Sequence, residues 1–193
     1  MEFNWFSFLL YILIGAFTPG PNNIMSMNNA KHSGFRKGMV FILGMQAGVL
    51  VIMILCMVFS AALASVIPRV QFPMKIAGAS YMVYLAARTL FPPKANRLYD
   101  GSGSFAVGAV LQFLNPKLIF YGITAISSFI LPFYSGAAVL SFFVFILTIA
   151  GFFANMCWAL FGSLFSVLFT KYDKAVNAVM ALLLLYCAVS LFL

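Results

Sequence analysis

The sequence contains very little charge. Of its 193 residues only 7% are charged, 11 Lys or Arg and 3 Asp or Glu, whereas 64% are hydrophobic. Soluble domains carry about 25% charged residues, so this chain has too few to cover a water-exposed surface. Intrinsic disorder is excluded as well, because it requires low hydrophobicity. We therefore expect an integral membrane protein.

The few charges that occur are mostly basic, and they are dispersed. The formal net charge is +8, yet the basic residues stand one to three at a time between long apolar runs. No basic stripe is available to follow a phosphate backbone. Nucleic acid is therefore excluded as a partner, and the lipid bilayer is expected instead.

Residues that commonly carry enzyme and metal chemistry are also rare. The chain has 1 His and 3 Cys, and no C-x-x-C motif. Cys56, Cys157 and Cys187 all fall within apolar runs, where thiols behave as small hydrophobes. No metal-ligand cluster, nucleophile–base pair or phosphate-binding loop is recognisable. We predict no enzyme activity, no metal and no cofactor.

Six apolar stretches are long enough to cross a bilayer, which takes about 20 residues for roughly 30 Å of hydrocarbon. They cover residues 3–28, 39–67, 72–91, 105–130, 137–168 and 174–193. Their apolar runs are continuous rather than alternating, which indicates helices and not barrel strands. We predict an all-α integral membrane protein, a single transmembrane domain over residues 1–193.

Basic residues at or near the ends of the spans predict the orientation. Eight of them lie at or beyond the end of the first, third or fifth span: Lys31, Arg36, Lys37, Arg88, Lys94, Arg97, Lys171 and Lys174. Only Arg69 and Lys75 lie on the other side. Because cytoplasmic loops carry the excess of Lys and Arg, both termini are expected in the periplasm.

Six spans divide into two groups of three. Because each half has an odd number of spans, the second half crosses the membrane in the opposite orientation to the first. Phe-Thr-Pro-Gly at 17–20 parallels Leu-Asn-Pro-Lys at 114–117, and Tyr-Leu-Ala at 84–86 parallels Tyr-Cys-Ala at 186–188. We predict inverted repeats over about 1–92 and 104–193, joined by a connector over about 92–104. Such repeats with interrupted helices are typical of secondary transporters.

The first span contains a polar interruption. Pro19, Gly20 and Pro21 should break the helix, and Asn22 and Asn23 follow at once. Broken backbone at membrane depth persists only inside protein or against a watery cavity. The half-helix that starts near Pro21 would direct its amides at an anion. We predict a substrate contact here, and a plain proline kink is the alternative.

The fourth span contains a second interruption, with Gln112, Asn115, Pro116 and Lys117. A charged Lys at the bilayer centre costs roughly 2.5–3.5 kcal/mol on insertion scales. No acidic residue lies inside any predicted span to neutralise it. We predict that Lys117 contacts substrate or gates its path. The alternative is a structural Lys bonded to carbonyls that Pro116 frees.

Other polar residues in the spans are isolated. Asn155 in the fifth span and Gln46 in the second suit ligand contact or interhelical hydrogen bonding equally. Gly44 and Gly48 form a G-x-x-x-G pair, which predicts a close helix–helix contact.

The charge pattern narrows the substrate. With Lys117 and two helix N-termini near the midplane and no carboxylate, the site favours a solute with an anionic group, such as a small zwitterion. Lys117 is also the only ordinary candidate for carrying a coupled proton, since the predicted spans contain no Asp, Glu or His.

These motifs resemble the lysine exporter and homoserine/threonine-resistance family of bacterial amino-acid efflux transporters over essentially the whole chain. The likeness rests on Thr-Pro-Gly-Pro-Asn at 18–22, Asn-Pro-Lys at 115–117 and the six-span pattern. It implies export of small neutral amino acids, of the kind of cysteine or O-acetylserine, across the inner membrane by the proton gradient, and it leaves a homodimer open.

Together the residues and the resemblance give the hypothesis of an alternating-access exporter. Its substrate would lie between the two breaks, in contact with six residues: Lys117, Asn22, Asn23, Asn115, Gln112 and Asn155. The alternatives are an exporter of homoserine, threonine or another amino acid, a passive solute channel, and a membrane scaffold or thiol-relay protein.

Overall fold

The computed structural model describes residues 3–59, 72–73, 76, 79–84, 86–87, 89–91, 104–164, 172–190 and 192. Every element in these ranges is helical, which confirms the predicted all-α class there. The α-helices are α1 (Trp5–Phe17), α2 (Pro21–Ser33), α3 (Phe35–Val58), α4 (Phe105–Leu111), α5 (Pro116–Thr124), α6 (Ala137–Leu164) and α7 (Asp173–Ser190).

The first apolar stretch is two helices rather than one. Helix α1 begins at Asn4, whose side chain accepts from the amide of Ser7 at 3.0 Å. It ends where the amide of Thr18 bonds to Ile14, and Gly20 then adopts an extended conformation. Pro21 opens α2, where its missing amide proton costs nothing. The break lies at the predicted prolines.

The fourth apolar stretch is broken in the same way. A 3₁₀ turn (Gln112–Leu114) follows α4, and a π-helical segment (Ala125–Ile130) follows α5. The two halves, Phe105–Leu114 and Pro116–Ile130, meet at an angle of 67°. This pair is apolar and long enough to cross a membrane as one broken span.

Two unbroken helices are each long and apolar enough to cross a bilayer. They are α3, with 24 residues, and α6, with 28. Helices α1 and α7 are apolar but shorter. Most of the predicted connector and many of the charges used for orientation lie outside the described residues: Arg69, Lys75, Arg88, Lys94, Arg97 and Lys171.

Helix α3 packs with its backbone almost touching that of α4. A methyl group at Gly44 would overlap the carbonyl of Phe105, and one at Gly48 would overlap the carbonyl of Ala109. From the other side, Gly108 meets the carbonyl of Phe41. The close contact predicted for Gly44 and Gly48 is confirmed.

Helix α6, from the second half of the sequence, packs against helices of the first half. The Nε2 of Gln46 on α3 donates to the backbone oxygen of Thr148 on α6, so this residue makes an interhelical hydrogen bond. Phe143 on α6 packs with Phe8 and Ile12 of α1 in a buried cluster. These contacts fix α1, α3 and α6 around the region where the two breaks meet.

Candidate functional site

A cavity of about 50 Å³ lies between the two helix breaks. Its polar lining comes from Asn22, Asn23, Asn115, Lys117, Tyr121 and Asn155. The remainder is glycine and apolar: Gly15, Ala16, Gly20, Pro21, Val49, Leu118, Leu147 and Gly151. This volume holds a few water molecules. Five of the six predicted substrate-binding residues therefore share one cavity.

The first break frees backbone carbonyls, and side chains of other helices bond to them. The Nδ2 of Asn23 donates to the carbonyls of Ala16, at 2.9 Å, and of Thr18, at 3.0 Å. The indole Nε1 of Trp158, on α6, donates to the carbonyl of Phe17 at 3.3 Å. An unbonded carbonyl in lipid costs several kcal/mol, so these donors stabilise the break.

Two further donors arrive from the second half of the chain. The ammonium of Lys117 on α5 donates to the carbonyl of Thr18 at 2.7 Å. The Sγ of Cys187 on α7 lies 2.9 Å from the carbonyl of Pro19. Four consecutive carbonyls, of residues 16–19, thus have partners on α2, α5, α6 and α7.

The second break stabilises itself. Asn115 is the residue before α5, and its Oδ1 accepts from the amide of Leu118 at 3.4 Å, as an N-cap does. Its own amide bonds to the carbonyl of Gln112 at 3.1 Å. Pro116 then occupies the first helical position.

A chain of three side-chain amides, Gln112–Asn22–Asn115, connects the two breaks. The Nδ2 of Asn22 donates to Oε1 of Gln112 at 2.7 Å, and the Nδ2 of Asn115 donates to Oδ1 of Asn22 at 3.1 Å. The Nε2 of Gln112 donates to the carbonyl of Gly108 at 3.0 Å. Every nitrogen and oxygen in this amide chain therefore has a partner.

Gln112 does not line the cavity, unlike the other five residues predicted to contact substrate. It is fully buried between α3 and α4, and a methyl at Gly48 would lie 2.7 Å from its Cγ. Its two polar atoms already bond to Asn22 and to Gly108. Gln112 therefore holds the side chain of Asn22 in place and lies outside the cavity lining.

Lys117 lies directly against the first break. A methyl at Gly20 would come within 3.1 Å of both Cδ and Nζ of Lys117, so the absence of a side chain at Gly20 makes room for the ammonium. The carbonyl partner that we considered for a structural Lys exists, but it belongs to Thr18 and not to the Pro116 break. An ammonium has three protons, so two others remain to be directed elsewhere.

Tyr121 lines the cavity although its sequence position did not single it out. Its ring stacks on Tyr11 with centroids 5.5 Å apart, and it packs so closely on Gly15 that a methyl there would lie 2.7 Å away. The Tyr121 hydroxyl is buried and has no hydrogen-bond partner in the part of the chain that is described. Four residues after Lys117 on one helix, it faces the same side, and that spacing was the available signal.

Asn155 lines the cavity and has an unbonded, buried acceptor. The residue is 3% exposed, on the α6 wall. Its Oδ1 is buried without a partner among the described residues. Lys117 gives the cavity a cation and Asn155 an amide side chain, and no carboxylate is among the lining residues that the structure describes. Such a site suits a small solute that has its own anionic group.

Comparison with known proteins assigns the chain to a family. Residues 13–193 match the family described as LysE type translocator. The chain is 42% identical over 187 residues to the "Cysteine/O-acetylserine efflux protein" of Escherichia coli strain K12 and of Shigella flexneri serotype 5b, covering 96% of this chain and 96% of each relative. No solved structure matches. The chain belongs to the LysE type translocator family.

Proposed function

We propose that the protein is a secondary active exporter of small neutral amino acids, of the kind of cysteine or O-acetylserine, across the bacterial inner membrane. The relatives' names support the substrate class, since their identity extends over nearly the whole chain. The observation that carries the proposal is the cavity between the two breaks, which combines Lys117 with amide side chains inside an apolar helical bundle.

The charge of the cavity selects among amino acids. A zwitterion could place its carboxylate by the Lys117 ammonium and the first amides of α2. Val49, Leu118 and Leu147 suit a small uncharged side chain. Lysine would add a second positive charge with no carboxylate in the lining to neutralise it. Neutral amino acids are therefore preferred over cationic ones.

Two inverted repeats of three spans are part of the proposal. In each half a broken helix precedes a long unbroken one, α1–α2 before α3 and α4–α5 before α6. This order supports the repeat and the six-span count, with the periplasmic termini that the basic residues predict. The solute would be exposed alternately to each side by movement at the breaks.

Proton coupling would use Lys117, because the described residues that line the cavity include no Asp, Glu or His. Its bond to the Thr18 carbonyl ties the ammonium to the first break. Weakening of that bond on deprotonation, since a neutral amine is a poorer donor, or its exchange for a substrate carboxylate, would change the connection between the two halves. This gives a physical route from a proton or a solute to the conformation of the breaks.

Counterflow in proteoliposomes tests the proposal. Radiolabelled cysteine should enter saturably and faster when the vesicles are preloaded with unlabelled cysteine. Lys117→Ala should lower this uptake by about 10- to 100-fold, because a charged hydrogen bond is lost. Lys37→Ala, at an exposed Lys of α3, is the control and should keep wild-type uptake.

Three results would contradict the proposal. Uptake without stimulation by preloaded solute would indicate a passive channel. Wild-type uptake by Lys117→Ala would exclude the cavity as the substrate site. Lysine as the best solute in a panel with cysteine, O-acetylserine, homoserine and threonine would overturn the charge argument, whereas homoserine or threonine would only move the specificity within neutral amino acids.

A further inference from the structure

The polar groups of the cavity are not equally available to a solute. Both polar atoms of the Asn22 side chain and both of Asn115 already have partners within the protein. The Nδ2 of Asn23 bonds to two carbonyls of the first break. These residues therefore hold the breaks together, and the amide nitrogens among them are already engaged.

Asn155 differs from Asn22 and Asn115 in this respect. Its side chain is buried at 3% exposure, yet its Oδ1 has no partner in the described part of the chain. A buried acceptor without a donor destabilises a protein, so such an atom in a cavity calls for a ligand or a water. An oxygen accepts hydrogen bonds only, and the solute group that faces it must therefore be a donor.

The zwitterion has one strong donor, its ammonium. Lys117, on the other hand, offers only donors and a positive charge, which suits a carboxylate and repels an ammonium. The two residues come from different helices, α5 and α6, and line the same cavity. Their chemistry is complementary to the two ends of an α-amino acid.

We propose that Asn155 is the residue that recognises the ammonium of the substrate, while Lys117 receives the carboxylate. The inference rests on the proposed function and adds its specificity: the site requires a protonated amine next to a carboxylate. A carboxylic acid without the amine lacks the donor for Asn155, and an amine without the carboxylate meets Lys117 unpaired.

Binding to the purified full-length protein tests this with three probes: cysteine, β-mercaptopropionate, which lacks the amine, and cysteamine, which lacks the carboxylate. Asn155→Leu should weaken cysteine binding by about 10- to 100-fold, since a hydrogen bond to a charged group is lost, and leave β-mercaptopropionate unchanged. Asn155→Asp should keep cysteine binding and gain affinity for cysteamine, because a carboxylate attracts the amine more strongly than an amide does.

Gly151→Ala is the matched control, one turn earlier on the cavity wall of α6, where a methyl meets no atom within 4 Å. Gly151→Ala should change the affinities for cysteine and for β-mercaptopropionate by the same factor. Equal weakening of cysteine and β-mercaptopropionate by Asn155→Leu, or no weakening, overturns the inference while the proposed function stands. Absence of cysteine binding to the wild type sinks the proposed function instead. If Asn155→Leu does not fold, the test rests on Asn155→Asp. In that case an unchanged affinity for cysteamine overturns the inference.

Discussion

The two helix breaks face each other across one cavity, but they are stabilised in opposite ways. The first break leaves the carbonyls of residues 16–19 to donors from α2, α5, α6 and α7. The second break is a single residue, Asn115, which caps the helix that follows it. The first break is stabilised mainly by donors from other helices, and the second mainly by its own N-cap residue.

This difference separates local from tertiary causes. An N-cap residue followed by proline, such as Asn115–Pro116, starts a helix through local interactions, because the cap and the helix are neighbours in the chain. The first break has a nearby donor in Asn23, but the carbonyls of Phe17 and Pro19 are bonded only once α6 and α7 are in place. Substitutions far from the first break should therefore affect it, whereas the second should respond mainly to its own residues.

The largest effect is expected at Asn22, which both breaks share. Asn22→Leu leaves the Oε1 of Gln112 and the Nδ2 of Asn115 without a partner, which should lower the free energy of unfolding by about 2–6 kcal/mol. Thermal unfolding in detergent measures this. Asn28→Leu, on the same helix, is the control, and equal destabilisation of the two variants would show that the amide chain has no special role.

Asn115 tests whether the second break is stabilised by its cap. Asn115→Ser keeps a side-chain oxygen for the amide of Leu118 but loses the amide donor to Asn22, whereas Asn115→Ala loses both. We expect Ala to be less stable than Ser by about 0.5–2 kcal/mol, the usual value of an N-cap. Unfolding of the two variants side by side gives this difference, and equal stability would mean that the cap contributes nothing.

Trp158 tests the outside support of the first break. Trp158→Phe keeps an aromatic ring and removes the donor to the carbonyl of Phe17, for an expected loss of about 1 kcal/mol. Trp5→Phe serves for comparison, because Trp5 lies at the exposed start of α1. If both variants unfold at the same temperature as the wild type, the carbonyl of Phe17 does not need its partner.

Gly20→Ala should have the smallest effect on stability. The extended backbone of Gly20 accepts Ala, which gains about 0.4–1 kcal/mol through the unfolded state, and the methyl at 3.1 Å displaces only the flexible end of Lys117. The melting temperature should therefore change little while cysteine counterflow falls. Unchanged counterflow would show that the position of Lys117 against the first break is irrelevant to transport.

The sequence allowed the location of the site to be predicted because polar atoms are so rare in its apolar stretches. Breaks at Pro19–Pro21 and Pro116 followed from the missing amide proton and the fixed backbone angle of proline. Asn22, Asn115 and Lys117 could then be placed together, since buried polar groups in an apolar surrounding must find one another.

The direction in which each side chain points could not be predicted from the sequence. Gln112 faces Gly108 and Asn22 rather than the cavity, which depends on how closely α4 lies against α3. Trp158 and Cys187 are apolar by composition, and nothing local shows that they bond to carbonyls of the first break. The π-helical segment Ala125–Ile130 likewise departs from the regular period on which face assignments rest.

Gly48 of α3 and Gly151 of α6 differ in how much room each leaves for an added methyl group. At Gly48 an added methyl would meet both the carbonyl of Ala109 and the side chain of Gln112, so any enlargement there disturbs the anchor of the amide chain. At Gly151 the same methyl meets nothing within 4 Å. Larger side chains at Gly151 would therefore reduce the volume of the cavity without changing the helix breaks. Substitution at this position is a simple way for a relative to become specific for a solute of another size.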